Sequence, residues 1–162
     1  MRSIAVLLLL AAPLFSVATP ASATAGMVRV VRTWSGPRTA ESFERISEYF
    51  THRENPGRQT ILRSQPSVRA GYYFLIRLDH ASSHPLPATF ELQVIAPSSP
   101  APRKYAFPST LPPGSHAFNL GLTGSDWQDQ DQPVAWLIVV RGADGAELVR
   151  EQSFLWAQPS QT

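Results

Sequence analysis

The 162-residue chain has no cysteine, a single lysine and, beyond residue 25, no apolar run long enough to cross a bilayer. Without cysteine there is no disulfide framework, no thiolate metal site, no cysteine nucleophile and no lipid anchor on that residue. The familiar chemical signatures are also missing. There is no G-x-S-x-G elbow, no phosphate loop, no dinucleotide fingerprint, no H-E-x-x-H helix and no EF-hand spacing. No repeat of solenoid or propeller period occurs. The formal charge of +2 is too small to call for a polyanion, which makes nucleic acid a poor partner.

What is present begins with an address. Residues 1–25 read as a secretory signal peptide: Arg2 supplies a positive start, an unbroken apolar run follows from Ile4 to Ala12, and Pro13 and Pro20 precede small residues. Two overlapping A-x-A patterns, Ala21-Ser22-Ala23 and Ala23-Thr24-Ala25, mark cleavage; the second leaves Gly26 as the new N-terminus and a mature domain of 137 residues. The rival reading, an uncleaved anchor, has fewer apolar residues than the roughly 20 a bilayer needs. The expected location is therefore outside the cytoplasm, periplasmic or extracellular. An exported chain without disulfides must be held by its core, and a domain of this size can bury enough surface to do so.

Strand signals recur along residues 26–162, which read as one domain. Residues 27–34 (MVRVVRTW), 60–64, 70–78 (AGYYFLIRL), 89–95 (TFELQVI), 103–107, 115–122, 134–140 (VAWLIVV) and 147–156 are β-branched, aromatic or alternating. Asp144-Gly145 sits between two such runs as a hairpin signal. Nine of the 15 prolines lie between Pro85 and Pro133, where they separate strands without starting helices. An outer-membrane barrel would need longer, unbroken strands. The expectation is all-β: an antiparallel sandwich of about seven or eight strands.

One segment departs from this pattern. In residues 39–51 (TAESFERISEYFT), Ala40, Phe43, Ile46 and Phe50 fall at helical spacing, with Asn55-Pro56-Gly57 as a stop. This predicts a short helix near residues 40–51 laid across an end of the sandwich, with those four residues inward. The run of short strands, the late Asp-Gly hairpin and the closing strand together resemble immunoglobulin-like bacterial sandwiches. The Cys–Trp–Cys signature of antibody domains is absent, and the resemblance brings no functional motif.

Several residue groups are candidates for chemistry. Asp126, Asp129 and Asp131 in the loop SDWQDQDQ carry oxygen ligands of the kind calcium takes, although a solvated turn has the same composition. Within that loop Trp127 is the tryptophan most suited to face a sugar ring. His80 and His84 have the i,i+4 spacing of a zinc pair, but prolines follow and the stretch reads as an exposed loop. Arg29, Arg32 and Arg63 belong to an arginine-rich first part. Residues 26–80 carry nine arginines against five acids, whereas residues 81–162 carry four cations against seven acids. If those arginines shared a face, they could grip carboxylates or phosphates through bidentate hydrogen bonds.

The function expected from the sequence is an exported, non-enzymatic β-sandwich that binds a protein or a cell-envelope component, without a cofactor. Two alternatives stand beside it: a carbohydrate- or calcium-dependent binding module, and a small hydrolase whose site carries no motif.

Overall fold

The computed structural model describes residues 26–157; the expected leader at residues 1–25 lies outside them. Eight strands form two four-stranded sheets: β1 (Val28–Arg38), β2 (Gln59–Arg63), β3 (Gly71–His80), β4 (Leu86–Ala96), β5 (Ser99–Leu111), β6 (Gly114–Thr123), β7 (Ala135–Gly142) and β8 (Glu147–Gln152). The first sheet has the order β1-β3-β6-β2 and the second the order β5-β4-β7-β8. Among the described residues no helix is long and apolar enough to span a membrane.

Alternation explains the layering. Phe90, Leu92 and Val94 of β4 are buried on one face, with Ile138 and Val140 of β7 at the same level. Phe74, Ile76 and Leu78 of β3 and Phe118, Leu120 and Leu122 of β6 meet them from the other sheet in one continuous core. Phe90 and Phe118 touch across the interface with ring centroids 4.6 Å apart. Burial of this kind is worth roughly 1.5–3 kcal/mol per large side chain, and with no disulfide it is the main source of cohesion.

The strand order is that of an immunoglobulin-like sandwich. Taking β1, β3 and β6 as the A, B and E strands leaves β5, β4, β7 and β8 as C′, C, F and G. Strand β2 stands outside this scheme. It takes the place beside β6 that a D strand occupies in other domains, and it runs parallel to β6, with Gln59 opposite Ala117 and Arg63 opposite Gly121. The other pairings are antiparallel, as expected, and β2–β6 is the parallel exception among the described strands.

That parallel strand dictates the path of the chain. β1 ends with Arg38 opposite Gly71, at the level of Thr123 in β6. To enter β2 in the direction of β6, the chain must first return to the level of Ala117. Residues 39–58 make this return across the outer face of the first sheet. They contain a 3-10 turn, Glu41–Phe43, and a six-residue helix α1, Ile46–Thr51. The predicted helix is thus broken, because Glu44 and Arg45 are extended. It lies on a sheet face and not across an end.

The break reverses the expected burial. Phe43 is 7% exposed and packs on Tyr73, whereas Ile46 is 84%, Tyr49 81% and Phe50 75% exposed. The inward side of α1 is polar: Ser47 accepts a hydrogen bond from Asn55 Nδ2 (2.9 Å), and Glu48 accepts one from the Asn55 backbone N–H (3.1 Å). His52, in the left-handed region (φ 52°), ends the helix before the expected Asn55-Pro56-Gly57 stop is reached.

Two further expectations change. β5 spans 13 residues instead of the expected five, with Pro100, Pro102 and Pro108 inside it. It is an edge strand, where a missing N–H leaves no neighbour unsatisfied. The Asp144-Gly145 hairpin forms as expected, yet only Gly145 takes positive φ (80°), and the Asp144 side chain accepts from the Ala146 N–H (3.0 Å).

Candidate functional site

The outer face of the first sheet is built around Tyr73. Its ring lies across β6 at Gly121, where an added Cβ would come within 2.4 Å of the ring, so the position excludes any larger residue. Phe43 from the crossing segment stacks on Tyr73 at 4.6 Å. Two guanidinium groups flank Phe43, Arg38 at 4.1 Å and Arg63 at 5.1 Å from the ring centroid. Cation–π attraction of this kind contributes about 0.5–2 kcal/mol.

These two arginines differ in how their charge is met. The Arg63 side chain is only 6% exposed and makes a two-pronged contact with Glu54, one arm at 2.8 Å, while its Nε donates to the Tyr73 hydroxyl at 2.8 Å. Tyr73 in turn donates to the carbonyl of Arg69 (2.6 Å), and Arg69 pairs with Glu48 (2.8 Å). The Glu54 carboxyl is held below its ordinary range chiefly by the Arg63 hydrogen bonds. That of Glu48 is lowered chiefly by the Asn55 N–H. Burial pushes the Tyr73 hydroxyl up, and Arg63 is raised by Glu54. This network ties residues 48–55 to the sheet.

Arg38 has only neutral partners. It donates to the Ser42 carbonyl (3.1 Å) and, at 3.5 Å, to Oδ1 of buried Asn119, whose amide nitrogen is committed to Gln59 (2.8 Å). Beside it opens a cleft of about 230 Å³, lined by Arg38, Phe43, Glu44, Arg45, Asn55 and Gln59 among others. Arg45 also lacks an acidic partner; its guanidinium reaches toward the Pro56 carbonyl (3.5 Å).

The pattern extends over the whole face. Among the described residues, Arg32, Arg38, Arg45, Arg53, Arg58 and Arg77 form no ion pair, and each lies on β1, on β3 or on the crossing segment. Arg32 and Arg77 stand directly opposite each other, a like-charge juxtaposition that is unfavourable without a counter-ion. On the second sheet Arg141 contacts Glu91 (3.0 Å) and Glu147 (3.9 Å), and Glu147 also binds Arg150 (2.8 Å). The excess of cations in residues 26–80 is therefore gathered in space.

The comparisons with known proteins add little to this geometry. No protein-family model matches the chain. No curated protein matches it either. Among solved structures it is similar to an immunoglobulin-like protein from Pseudomonas aeruginosa, over 77% of this chain and 93% of that one, with 16% identity and a TM-score of 0.34. The sandwich architecture stands on the strand order of this chain.

The residues singled out in the sequence are dispersed. Arg63 is in the network, Arg32 opposes Arg77, and Arg29 is paired with Asp79 at the far end of the face. Trp127 packs against the core, and its indole N–H is buried with no partner among the described residues. Asp131 is spent on the β4–β5 turn, accepting from the Ser98 N–H (2.9 Å) and hydroxyl, which lower its pKa; Arg103 lies 3.5 Å away. Asp126 contributes its backbone carbonyl to Arg103 (3.3 Å), while Asp129 is exposed. Among the described residues no group of three or more His, Asp or Glu is gathered to hold a metal ion.

Of the two loop histidines, His84 is exposed between β3 and β4 as expected, and His80 is corrected. His80 is buried at the end of β3 with Nδ1 3.3 Å from the Pro112 carbonyl, not exposed in a loop. His84 contacts the adjacent Ser83 (3.0 Å) and His116 contacts Thr60 (3.0 Å). No carboxylate is hydrogen-bonded to any of these three rings among the described residues. Burial, helped by Arg77, lowers the pKa of His116.

Arg38, Phe43, Arg45, Glu54, Tyr73 and Asn119 were missed in the sequence. They come from four separate segments, β1, residues 39–58, β3 and β6, at irregular spacing, and no pattern of period two or 3.6 connects them.

Proposed function

We propose that this chain is an exported, non-enzymatic binding domain that uses the outer face of its first sheet to hold a protein or cell-envelope component. The supporting observation is the contrast in charge pairing among the described residues: six of the nine arginines in residues 26–80 form no ion pair, whereas the arginines of the second sheet all do. The cleft beside Phe43 is the anchoring point. Arg38 is oriented by neutral acceptors and an aromatic ring, so its charge is available to a carboxylate from outside. Arg45 lines the same opening, and Glu44, in the same lining, disfavours a second acidic group there.

Calorimetric titration tests this reading with peptidoglycan stem peptides bearing free carboxylates, and with the same peptides amidated. The free acids are expected to bind more tightly, and Arg38→Gln to remove the preference. A charge-assisted hydrogen bond is worth about 1.5–3 kcal/mol, a factor of about ten to a hundred in affinity. Equal affinity for acid and amide would overturn the reading. Uptake of calcium or neutral glycans in its place would favour a module working through Trp127 and the aspartate loop.

A further inference from the structure

Helix α1 is amphipathic in the reverse sense. Its polar side faces the protein, where Ser47 and Glu48 are held by Asn55 and Arg69. Its apolar side, Ile46, Tyr49 and Phe50 at i, i+3 and i+4, faces solvent. Tyr49 and Phe50 meet edge-on at 5.4 Å, so the exposed face is an ordered apolar knob. Nothing within the described residues covers it.

Basic residues flank this knob along the chain. Arg45 precedes the helix, His52 and Arg53 follow it, and Arg58 lies next to Gly57, against which Arg45 packs. Glu48 and Glu54 are already neutralised by Arg69 and Arg63, which leaves Glu41 and Glu44 as the acids of the crossing segment outside any ion pair. Within residues 39–58 the unpaired charges are therefore three arginines against two carboxylates.

We propose that the α1 tip docks on an anionic phospholipid surface, with Ile46, Tyr49 and Phe50 entering the headgroup region and Arg45, Arg53 and Arg58 meeting lipid phosphates. A small apolar knob flanked in the chain by arginines matches the interfacial mode of membrane binding, in which apolar burial and attraction to anionic lipid add. A second copy of the chain is a weaker occupant. Three side chains fall well short of the roughly 800 Å² per partner that a stable protein interface buries, and the flanking arginines would repel those of a symmetry mate. The inference rests on the envelope-binding reading and shares Arg45 with the Arg38 cleft, while Ile46, Tyr49 and Phe50 lie outside that cleft's lining.

The test is co-sedimentation of the purified chain with phosphatidylglycerol-containing vesicles and with pure phosphatidylcholine vesicles. Binding should require phosphatidylglycerol and weaken as salt rises. The triple variant Ile46→Ser, Tyr49→Ser, Phe50→Ser should lower vesicle partitioning about tenfold or more, because burying one Phe-sized side chain is alone worth such a factor. Its thermal midpoint should match that of the parent, since the three side chains are exposed. Should it fail to fold, Phe50→Trp gives a second readout: the emission of the new indole should shift to the blue only with phosphatidylglycerol. Parent and variant are compared as the same processed chain, so the difference between them isolates the knob. Partitioning unchanged by the triple variant, or equal on both vesicles, overturns the proposal. Self-association that the triple variant abolishes overturns it in favour of the second copy. Loss of carboxylate binding in Arg38→Gln with vesicle binding intact, or the reverse, separates failure of the cleft from failure of the tip.

Discussion

The interior of the sandwich and the segment that crosses its outer face obey opposite rules. Between the sheets, Phe74, Phe90, Phe118 and Ile138 turn inward and water is excluded. In residues 39–58 only Phe43 turns inward, and the rest of the attachment is made of charged and hydrogen-bonded groups: Glu48 with Arg69, Glu54 with Arg63, Asn55 with Ser47. The first region is held by apolar area, which depends little on pH. The second is held by a few ionised contacts around one aromatic ring. A chain can therefore carry one cooperative core and, on its surface, a segment that can be released separately.

The largest effect should follow from cutting into the core. Phe118→Ala removes a fully buried ring from the contact with Phe90 and should cost about 3–5 kcal/mol in denaturant unfolding. With the core as the main source of cohesion, such a loss would consume much of the net stability.

A smaller, local effect should follow from Glu54→Gln. Arg63 would keep its bond to Tyr73 but lose its counter-charge, at a cost of about 2–3 kcal/mol. Hydrogen exchange should show amides of residues 39–58 exchanging faster while those of β3, β6 and β7 stay protected. Uniform loss of protection across both regions would show that the crossing and the core unfold as one unit.

The mildest perturbation is acid. Glu48 and Glu54 both have folded-state pKa values lowered from 4.5. A depressed carboxylate contributes stability that is fully present above its unfolded value and is lost as pH falls through its folded one. Below pH 4.5, then, the crossing segment should loosen first, seen as exchange or proteolysis within residues 39–58 while the near-ultraviolet signal of the core persists. A crossing segment that survives to the acid midpoint of the whole domain would erase the distinction between the two regions.

Legibility in the sequence followed this same division. The eight strands were readable because a strand writes its environment into alternation, as Phe90, Leu92 and Val94 do in β4. Helix α1 was misread because Phe43, Ile46 and Phe50 have helical spacing, while two extended residues between them send Phe43 one way and the helix face the other. Spacing on an unbroken helix was the assumption, and the parallel course of β2 breaks it. The site itself was barely legible. Arg63 and Glu54 are nine positions apart and Arg38 and Asn119 are 81 apart, separations that match no local period.

The sequence by itself determined that this protein is a cysteine-free β-sandwich, with a cation-rich first part and an acid-rich second part. Those properties depend on local alternation and composition, which short-range sterics and solvation convert directly into strands and charge. Only the tertiary structure decided which arginines are neutralised, that Arg38 is left facing a cleft, and that the apolar side of α1 faces outward. Those outcomes depend on distances between residues far apart in the chain, and the parallel placement of β2 set those distances when it forced residues 39–58 across the face of the first sheet.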